Sequence, residues 1–172
     1  MQYHVVQLLF AEQSLFMLWF DDETSGVLTD QNRLLFAQTV NPLINYADSN
    51  SLVLNTNSVT HFGNVDFNEA LFWLAHPSPD VNCEYFLGVW NTLSDVLNSC
   101  DNSGHFLELH ENENGIHLYN KLFWGANLPG YTPTGKIDIP DWRFEDLCFL
   151  QSTLQTGCNE LLSVISQGRE LV

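Results

Sequence analysis

Residues 1–20, MQYHVVQLLFAEQSLFMLWF, contain two apolar runs separated by a short and mostly polar segment. Residues 2–10 and 14–20 are rich in aliphatic and aromatic side chains, including Val, Phe and Trp, which favour extended strands. The segment AEQS at 11–14 supplies a polar turn between the two runs. The start of the chain therefore predicts a β-hairpin, and with it an antiparallel sheet.

The same apolar start lacks the features of a targeting or membrane segment. It has no basic amino-terminal region, and no small-residue cleavage site follows it. Polar side chains interrupt it at Gln7, Glu12, Gln13 and Ser14. No stretch of the chain reaches the roughly 18 uninterrupted apolar residues that a membrane span needs. We therefore expect a cytoplasmic protein that does not engage a membrane.

The signals between residues 21 and 60 are mixed. DDETSG at 21–26 predicts a loop, and DQNRLLFAQTV at 30–40 fits a short helix that stops before Pro42. A further helix can begin at this point, with Asn41 as its N-cap and Pro42 in the first helical position. The segment SLVLNTNSV at 51–59 is compatible with a strand.

Three later segments have clear helical periodicity. Asp66 followed by Glu69 is close to a capping box, and it begins a helix that Pro77 ends. Apolar residues at three- and four-residue spacing predict a second helix from about 80 to 99 and a third from about 147 to 165, with Gly168 as its C-cap. Because strands and helices occur in groups, we predict a single α+β domain over residues 1–172. Its antiparallel sheet would have helices packed on one face.

The stretch HFLELHENENGIHLYNKLFW, residues 105–124, holds three of the six histidines. Asn114-Gly115 within it is a strong signal for a type I′ hairpin turn, because both turn positions need positive φ. Counting outward from this turn pairs Glu108 with Lys121 across the two predicted strands. The buried face of the hairpin would consist of Leu107, Leu109, Leu118 and Leu122.

The predicted hairpin places His110 and His117 on one face and His105 on the other. A three-histidine metal site is therefore not expected, although His110 and His117 completed by Glu108 remain geometrically possible. The two imidazoles with Lys121 could also form a phosphodiester-cleaving set. Neighbouring glutamates would repel a substrate phosphate, so we favour a solvated face and predict neither a metal nor a cofactor.

The rest of the sequence offers no catalytic motif. It lacks a nucleophile elbow, a phosphate-binding loop, a dinucleotide fingerprint and a zinc-protease motif. The four cysteines have no metal-binding spacing. Cys148 and Cys158 share one predicted helix about 15 Å apart, which is too far for a disulfide. The sequence therefore does not predict an enzyme.

The charge of the chain is its most unusual property. There are 21 acidic residues against 5 basic ones, a formal net charge of -16. Binding to nucleic acid or to an anionic membrane requires cations that neutralise phosphates, so this balance excludes both as partners. It favours basic proteins, whose association an opposite field can accelerate by roughly 10- to 1000-fold.

Acidic residues concentrate in predicted loop tips, DDET at 21–24 and ENEN at 111–114. The Gly- and Pro-rich segment 124–142 adds acidic residues among Trp124, Tyr131 and Trp142, a combination used by protein-binding patches. In its small size, its charge, its acidic tips and its lack of catalytic motifs the chain resembles bacterial toxin-immunity proteins. These include the immunity proteins of contact-dependent growth inhibition systems.

The resemblance implies a basic toxin domain as the partner, with a nuclease favoured because a nuclease site is cationic. Two other functions remain open: a nucleic-acid mimic that inhibits a host DNA-binding protein, and a small hydrolase that uses His110 and His117. For the immunity function we expect the partner to be contacted by acidic residues on loop tips, namely Asp21, Asp22, Glu23, Glu111, Glu113, Asp138 and Asp141.

Overall fold

The computed structural model of the protein describes residues 1–101, 104–131 and 139–172. In chain order its elements are β1 (Tyr3–Phe10), β2 (Gln13–Asp21), β3 (Ser25–Val27), β4 (Thr29–Asp30), β5 (Arg33–Ala37), α1 (Val40–Ser49), α2 (Thr56–Thr60), β6 (Gly63–Asp66), α3 (Asn68–Ala75), α4 (Cys83–Ser99), α5 (His105–Glu111), α6 (Glu113–Gly125), α7 (Phe144–Gln167) and β7 (Arg169–Glu170).

The strands form one sheet in the order β4-β5-β2-β1-β6, with β3 beside β2 and β7 beside β5. The pairs β1–β2, β2–β3, β2–β5 and β4–β5 are antiparallel. Only the two pairings β1–β6 and β5–β7, among the described strands, are parallel. The predicted α+β class with a mainly antiparallel sheet is therefore confirmed.

The hairpin predicted at the start of the chain is confirmed. Its register runs from Tyr3 opposite Phe20 to Phe10 opposite Gln13, which leaves a two-residue turn. Ala11 in this turn has a φ of 54°. The four consecutive residues 15–18 of β2 are all buried, although neighbouring side chains in a strand point to opposite faces. Both faces of the central strand are therefore covered.

The two faces of the sheet carry layers of different size. Helices α3 to α7 pack on one face and form the larger core, in which Trp90, Phe86 and Phe106 are fully buried. On the other face, a smaller cluster joins Phe16 and Leu18 of β2 to Leu43 and Ala47 of α1. Most of the helical mass thus lies on one side, while α1 and α2 close the other.

The helix predicted over 30–40 is wrong, because this segment forms a tight hairpin. Asp30 pairs with Arg33, and between them Gln31 and Asn32 have φ values of 51° and 62°. Two central residues with positive φ are typical of a type I′ turn. The run LLFA that follows is buried in β5, and a short apolar run of this kind fits a buried strand as well as a helix.

The strand predicted over 51–59 is also wrong. Only Leu54 makes a bridge, to Tyr3, and residues Thr56–Thr60 form α2. Asn55 begins this helix, since its side chain accepts a hydrogen bond from the Asn57 amide. The helix predicted at Asn41–Pro42 exists, but α1 begins at Val40.

The hairpin predicted over 105–124 is wrong, because the segment forms α5 and α6. Asn112 is the N-cap of α6, and its side chain accepts a hydrogen bond of 2.8 Å from the Gly115 amide. Gly115 is a buried helical residue, and a Cβ there would lie 1.9 Å from the Leu109 carbonyl oxygen of α5. The glycine therefore permits a close helix–helix approach, and Asn114-Gly115 does not form a turn.

The three helices predicted from clear periodicity are confirmed as α3, α4 and α7. Gly168 is the C-cap of α7, as expected. Cys100, Cys148 and Cys158 are free thiols, and Cys148 and Cys158 lie on the same helix. Within the described ranges no helix is both long and apolar enough to cross a membrane.

Candidate functional site

The acidic residues predicted to contact a partner lie in three places. Asp21 ends β2, while Asp22 and Glu23 form the turn before β3; Asp22 lies 3.8 Å from the amino group of Met1. Glu111 ends α5 and Glu113 begins α6, so these two flank a helix junction and not a hairpin tip. All five are exposed.

The remaining two predicted residues belong to the segment before α7. Asp141 is exposed, and its negative charge lies close enough to Arg143 to contribute to the raised pKa of that guanidinium group. Asp138 lies outside the described residues. Asp141 therefore adjoins the cationic residues of the protein and is not grouped with the other five.

The start of β3 and the end of α5 border one cleft of about 660 Å³, which we call the acidic cleft. Of the five exposed acidic residues above, Glu111 lines it. Ligand sites in proteins commonly have volumes of this order. Strand β3 contributes one residue, helix α4 three, α5 two and α6 two. These residues are Ser25, Asn91, Ser94, Asp95, His110, Glu111, Ile116 and Tyr119.

Asp95 is the half-buried carboxylate of the cleft. Its Oδ2 accepts a hydrogen bond of 2.9 Å from the Ser25 hydroxyl, which ties α4 to the start of β3. Burial raises the pKa of Asp95 above its ordinary value, the Ser25 hydrogen bond opposes this, and the nearby charge of Asp21 adds to it. Among the described residues, no lysine or arginine lines the cleft beside Asp95.

His110 forms part of the cleft wall and is fixed by the core behind it. The buried Trp90 donates a hydrogen bond of 2.6 Å from Nε1 to His110 Nδ1. The neutral ring must therefore carry its proton on Nε2. The Phe106 ring stacks on the imidazole at 6.3 Å between centroids, and the Tyr119 ring meets it edge-on at 5.8 Å. Burial lowers the pKa of His110 and outweighs the opposite effect of Glu111.

No lysine or arginine of the described ranges lines the acidic cleft. Arg169 is paired with Asp30 at the other end of the chain, and Arg33 borders a different pocket. Lys121 and Arg143 are both bound elsewhere, to Asp146. Within the described part of the chain, the negative charges of Asp95 and Glu111 at the cleft are therefore not compensated.

Asp146 organises a separate cluster with Lys121 of α6 and Arg143 at the start of α7, which we call the cationic cluster. Lys121 Nζ lies 2.6 Å from its Oδ2, and Arg143 Nη2 lies 3.3 Å from its Oδ1. Burial alone would raise the pKa of Asp146, but the hydrogen bonds from Lys121 and Arg143 prevail and lower it to about 2. The predicted pair of Glu108 with Lys121 is wrong, since Glu108 lies 3.0 Å from His105 instead.

The structure does not bring His110 and His117 together. His110 lines the acidic cleft, whereas His117 Nε2 lies 4.0 Å from Asp146 Oδ1 in the cationic cluster. The shared polar face that would support a two-histidine hydrolase or a two-histidine metal site is therefore absent. No group of three metal-binding side chains occurs among the residues that the structure describes.

Two of the three aromatic residues singled out in segment 124–142 are exposed. Trp124 exposes 46% of its surface and Tyr131 exposes 64%. Trp142 is half-buried beneath Lys121, whose Nζ lies 4.9 Å from the centre of its ring. Trp124 borders a pocket with Lys121, and none of the three aromatic residues lines the acidic cleft.

The sequence patterns did not identify Asp95, Ile116 and Tyr119 as parts of the acidic cleft. Asp95 could have been found from the sequence, because Asn91 and Asp95 are four residues apart on the strongly periodic helix α4 and therefore share a face. The positions of Ile116 and Tyr119 had no such signal, because their segment was expected to form strands.

Searches with protein-family models and among curated proteins found no match to this chain. Among solved structures, the chain is similar to the crystal structure of the SatS C-terminal domain in complex with bromine. The two share 13% sequence identity and a TM-score of 0.55, over 98% of this chain and 93% of that chain. At this identity the likeness shows a shared fold and carries no information about function.

Proposed function

We propose that this protein is an immunity protein of the contact-dependent growth inhibition type, which acts in the cytoplasm by binding and neutralising a basic toxin domain. A nuclease is the favoured toxin, since it must present cations to hold phosphates. One observation carries the proposal: the carboxylates of Asp95 and Glu111 line a single cleft that no described lysine or arginine lines.

Electrostatics gives the reason why such a surface suits this partner. With a net charge of -16 the protein attracts a cationic domain at long range, and the acidic cleft concentrates part of that charge at one place. Buried charge complementarity then supports specificity, because a buried and unpaired charge is costly to a wrong partner. All seven predicted acidic contacts, including Asp138 and Asp141, stay predictions.

The direct test is protection from a toxin. The candidate is a basic nuclease domain encoded next to the gene for this protein, and the two would be co-expressed and their affinity measured over a series of salt concentrations. We expect growth to be restored and affinity to fall as salt rises, because exposed charges are screened. Undiminished toxicity together with the absence of binding would contradict the proposal.

Charge reversal locates the contact surface. We expect Glu111→Lys to weaken toxin binding at least about tenfold, because it places a cation opposite a cationic partner. Asp48→Lys is the matched control, since Asp48 is exposed on α1 and α1 packs on the opposite face of the sheet. Equal losses in the two variants would indicate a general effect of charge and not a contact at the cleft.

The other two functions predict different outcomes of the same experiments. A nucleic-acid mimic would bind host DNA-binding proteins and leave the toxin active. A hydrolase would lose its activity in the His110→Ala, His117→Ala double variant with the fold intact. No arrangement of described residues favours either function over toxin binding.

A further inference from the structure

The acidic cleft is an open depression of about 660 Å³, which is large enough to admit a side chain from a partner. Residues of three helices and the start of β3 line it. A flat protein–protein contact needs no such depression, whereas an inserted side chain is a common anchor at the centre of an interface.

The polar lining selects a cation. Asp95 and Glu111 approach the cleft from two different helices, and the Ser25 hydroxyl holds one oxygen of Asp95 in place. Burial already raises the pKa of Asp95, so a cation supplied from outside would stabilise its charged form. Within the described ranges no lysine or arginine performs this role.

The apolar lining selects a side chain with a long hydrocarbon stem. Ile116 exposes 51% of its surface although it lies beside this cleft, and Tyr119 adds an aromatic ring. Long cationic side chains bury their methylene groups on such surfaces while the charged end reaches a polar partner. Exposed aliphatic surface beside uncompensated carboxylates is complementary to a side chain of this kind.

His110 adds a directional donor. Because Trp90 occupies Nδ1, the neutral ring carries its hydrogen on Nε2, which has no partner among the described residues. That N–H group can donate to a carbonyl oxygen of the chain that carries the inserted cation. The cleft thus combines acceptors for a cation with a donor for a peptide group.

We propose that the acidic cleft is a socket for an arginine side chain of the basic partner, an inference that rests on the proposed function. The guanidinium group would be held by Asp95 and Glu111, and its stem would lie along Ile116 and Tyr119. Arginine is favoured over lysine because its planar fork pairs with carboxylates through two hydrogen bonds and packs against aromatic rings.

The probe for this inference is Nα-acetyl-arginine amide, titrated into the full-length ¹⁵N-labelled protein and followed by NMR. We expect saturable shifts of the amides of Asp95, Glu111, Ile116 and Tyr119. The isosteric but uncharged citrulline analogue should bind at least about tenfold more weakly, because it lacks the charge that the carboxylates recognise. Shifts spread evenly over acidic surface residues, or equal binding of the lysine analogue, would overturn the assignment.

Variants separate this inference from the proposed function. Glu111→Gln and Asp95→Asn should each reduce arginine binding, while Asp48→Asn should leave it unchanged. Glu111 is exposed, so its variant is expected to fold, and amide dispersion in the spectrum verifies this. If the toxin domain still binds in a salt-sensitive way while the arginine probe does not bind, the socket is wrong and the immunity function stands. If the probe binds in the cleft but no toxin is neutralised, the cleft is an arginine site and the immunity function is wrong.

Discussion

Trp90 and His110 link the core of the protein to the acidic cleft through one hydrogen bond. The indole Nε1 of the fully buried Trp90 donates to His110 Nδ1 at 2.6 Å. This bond joins α4 to α5 and fixes which nitrogen of the imidazole carries a proton. It therefore contributes to the packing of the short helix α5 and sets which hydrogen-bonding group the cleft offers to a partner.

Removal of the acceptor should destabilise the protein. His110→Leu leaves the buried Trp90 N–H group without a partner, and we expect a loss of about 1–3 kcal/mol in the free energy of unfolding. His110→Asn retains an acceptor near the position of Nδ1 and should lose less. Urea unfolding of the two variants measures the difference. Equal stabilities of the two variants would show that the hydrogen bond contributes little.

Binding of a cation in the cleft should weaken as the pH falls from neutrality. Burial lowers the pKa of His110 from its ordinary value of 6.5, so the ring becomes positive at a pH below that value. Burial raises the pKa of Asp95 above its ordinary value of 3.8, so on acidification its carboxylate is neutralised earlier than that of an exposed aspartate. Both changes make the cleft less negative, so the attraction for a cation weakens.

Titration of Nα-acetyl-arginine amide over this pH range measures the effect, because the probe itself does not titrate there. His110→Asn removes the histidine contribution and should flatten the upper part of the profile. Affinity that rises on acidification would contradict the assignment of charge to the cleft.

Asp146 should make the stability of the protein dependent on pH in the acid range. Its pKa falls from an ordinary 3.8 to about 2 in the folded protein, so its contribution is fully present above pH 3.8 and is lost as the pH falls towards 2. We expect Asp146→Asn to lower the free energy of unfolding by about 2 kcal/mol at neutral pH, a difference that narrows in acid.

Thermal unfolding of the wild type and this variant at several pH values tests the dependence. Asp141→Asn is the control, since Asp141 is exposed near the same cations and should change stability little. A difference between the wild type and Asp146→Asn that stays constant down to pH 2 would show that the carboxylate charge is not its cause.

Two glycine substitutions should have opposite effects. An added Cβ at Gly115 would lie 1.9 Å from a backbone oxygen of α5, so Gly115→Ala must push α5 and α6 apart. We expect it to cost about 1–3 kcal/mol. Gly88 lies in α4 with nothing within 4 Å of such a Cβ, so Gly88→Ala should stabilise the helix by about 0.5–1 kcal/mol. Chemical denaturation compares the two, and stabilisation by Gly115→Ala would refute the close approach.

The correct and incorrect predictions from the sequence differ in the length of the segments concerned. Helices α4 and α7 have apolar residues at helical spacing over several turns, and no strand register satisfies such a pattern. The segment 30–37 is too short for its periodicity to distinguish a helix from a buried strand. In 105–124 the alternation of apolar and polar residues is also compatible with two strands, and Asn114-Gly115 is a pair that favours a hairpin turn between them.

Tertiary contacts decide the structure of this last segment. Helix α5 has seven residues, and a helix of that length is not stable alone in water. The Glu160 carboxylate of α7 accepts hydrogen bonds of 3.3 Å from the Phe106 amide, 54 residues away. A Cβ at Gly157 would lie 2.7 Å from the Phe106 ring, so a glycine of α7 makes room for that ring. None of these contacts is visible in the local sequence.

By itself, the sequence determined the first hairpin, the long helices, the α+β class and the strong negative charge, because each depends on composition or on local periodicity. Only the tertiary structure decided that α5 and α6 are helices and that Asp95 and Glu111 border one cleft. It also decided that Lys121 and Arg143 are held at Asp146, away from that cleft. The physical reason is that short segments and side-chain neighbours depend on contacts between residues far apart in the chain.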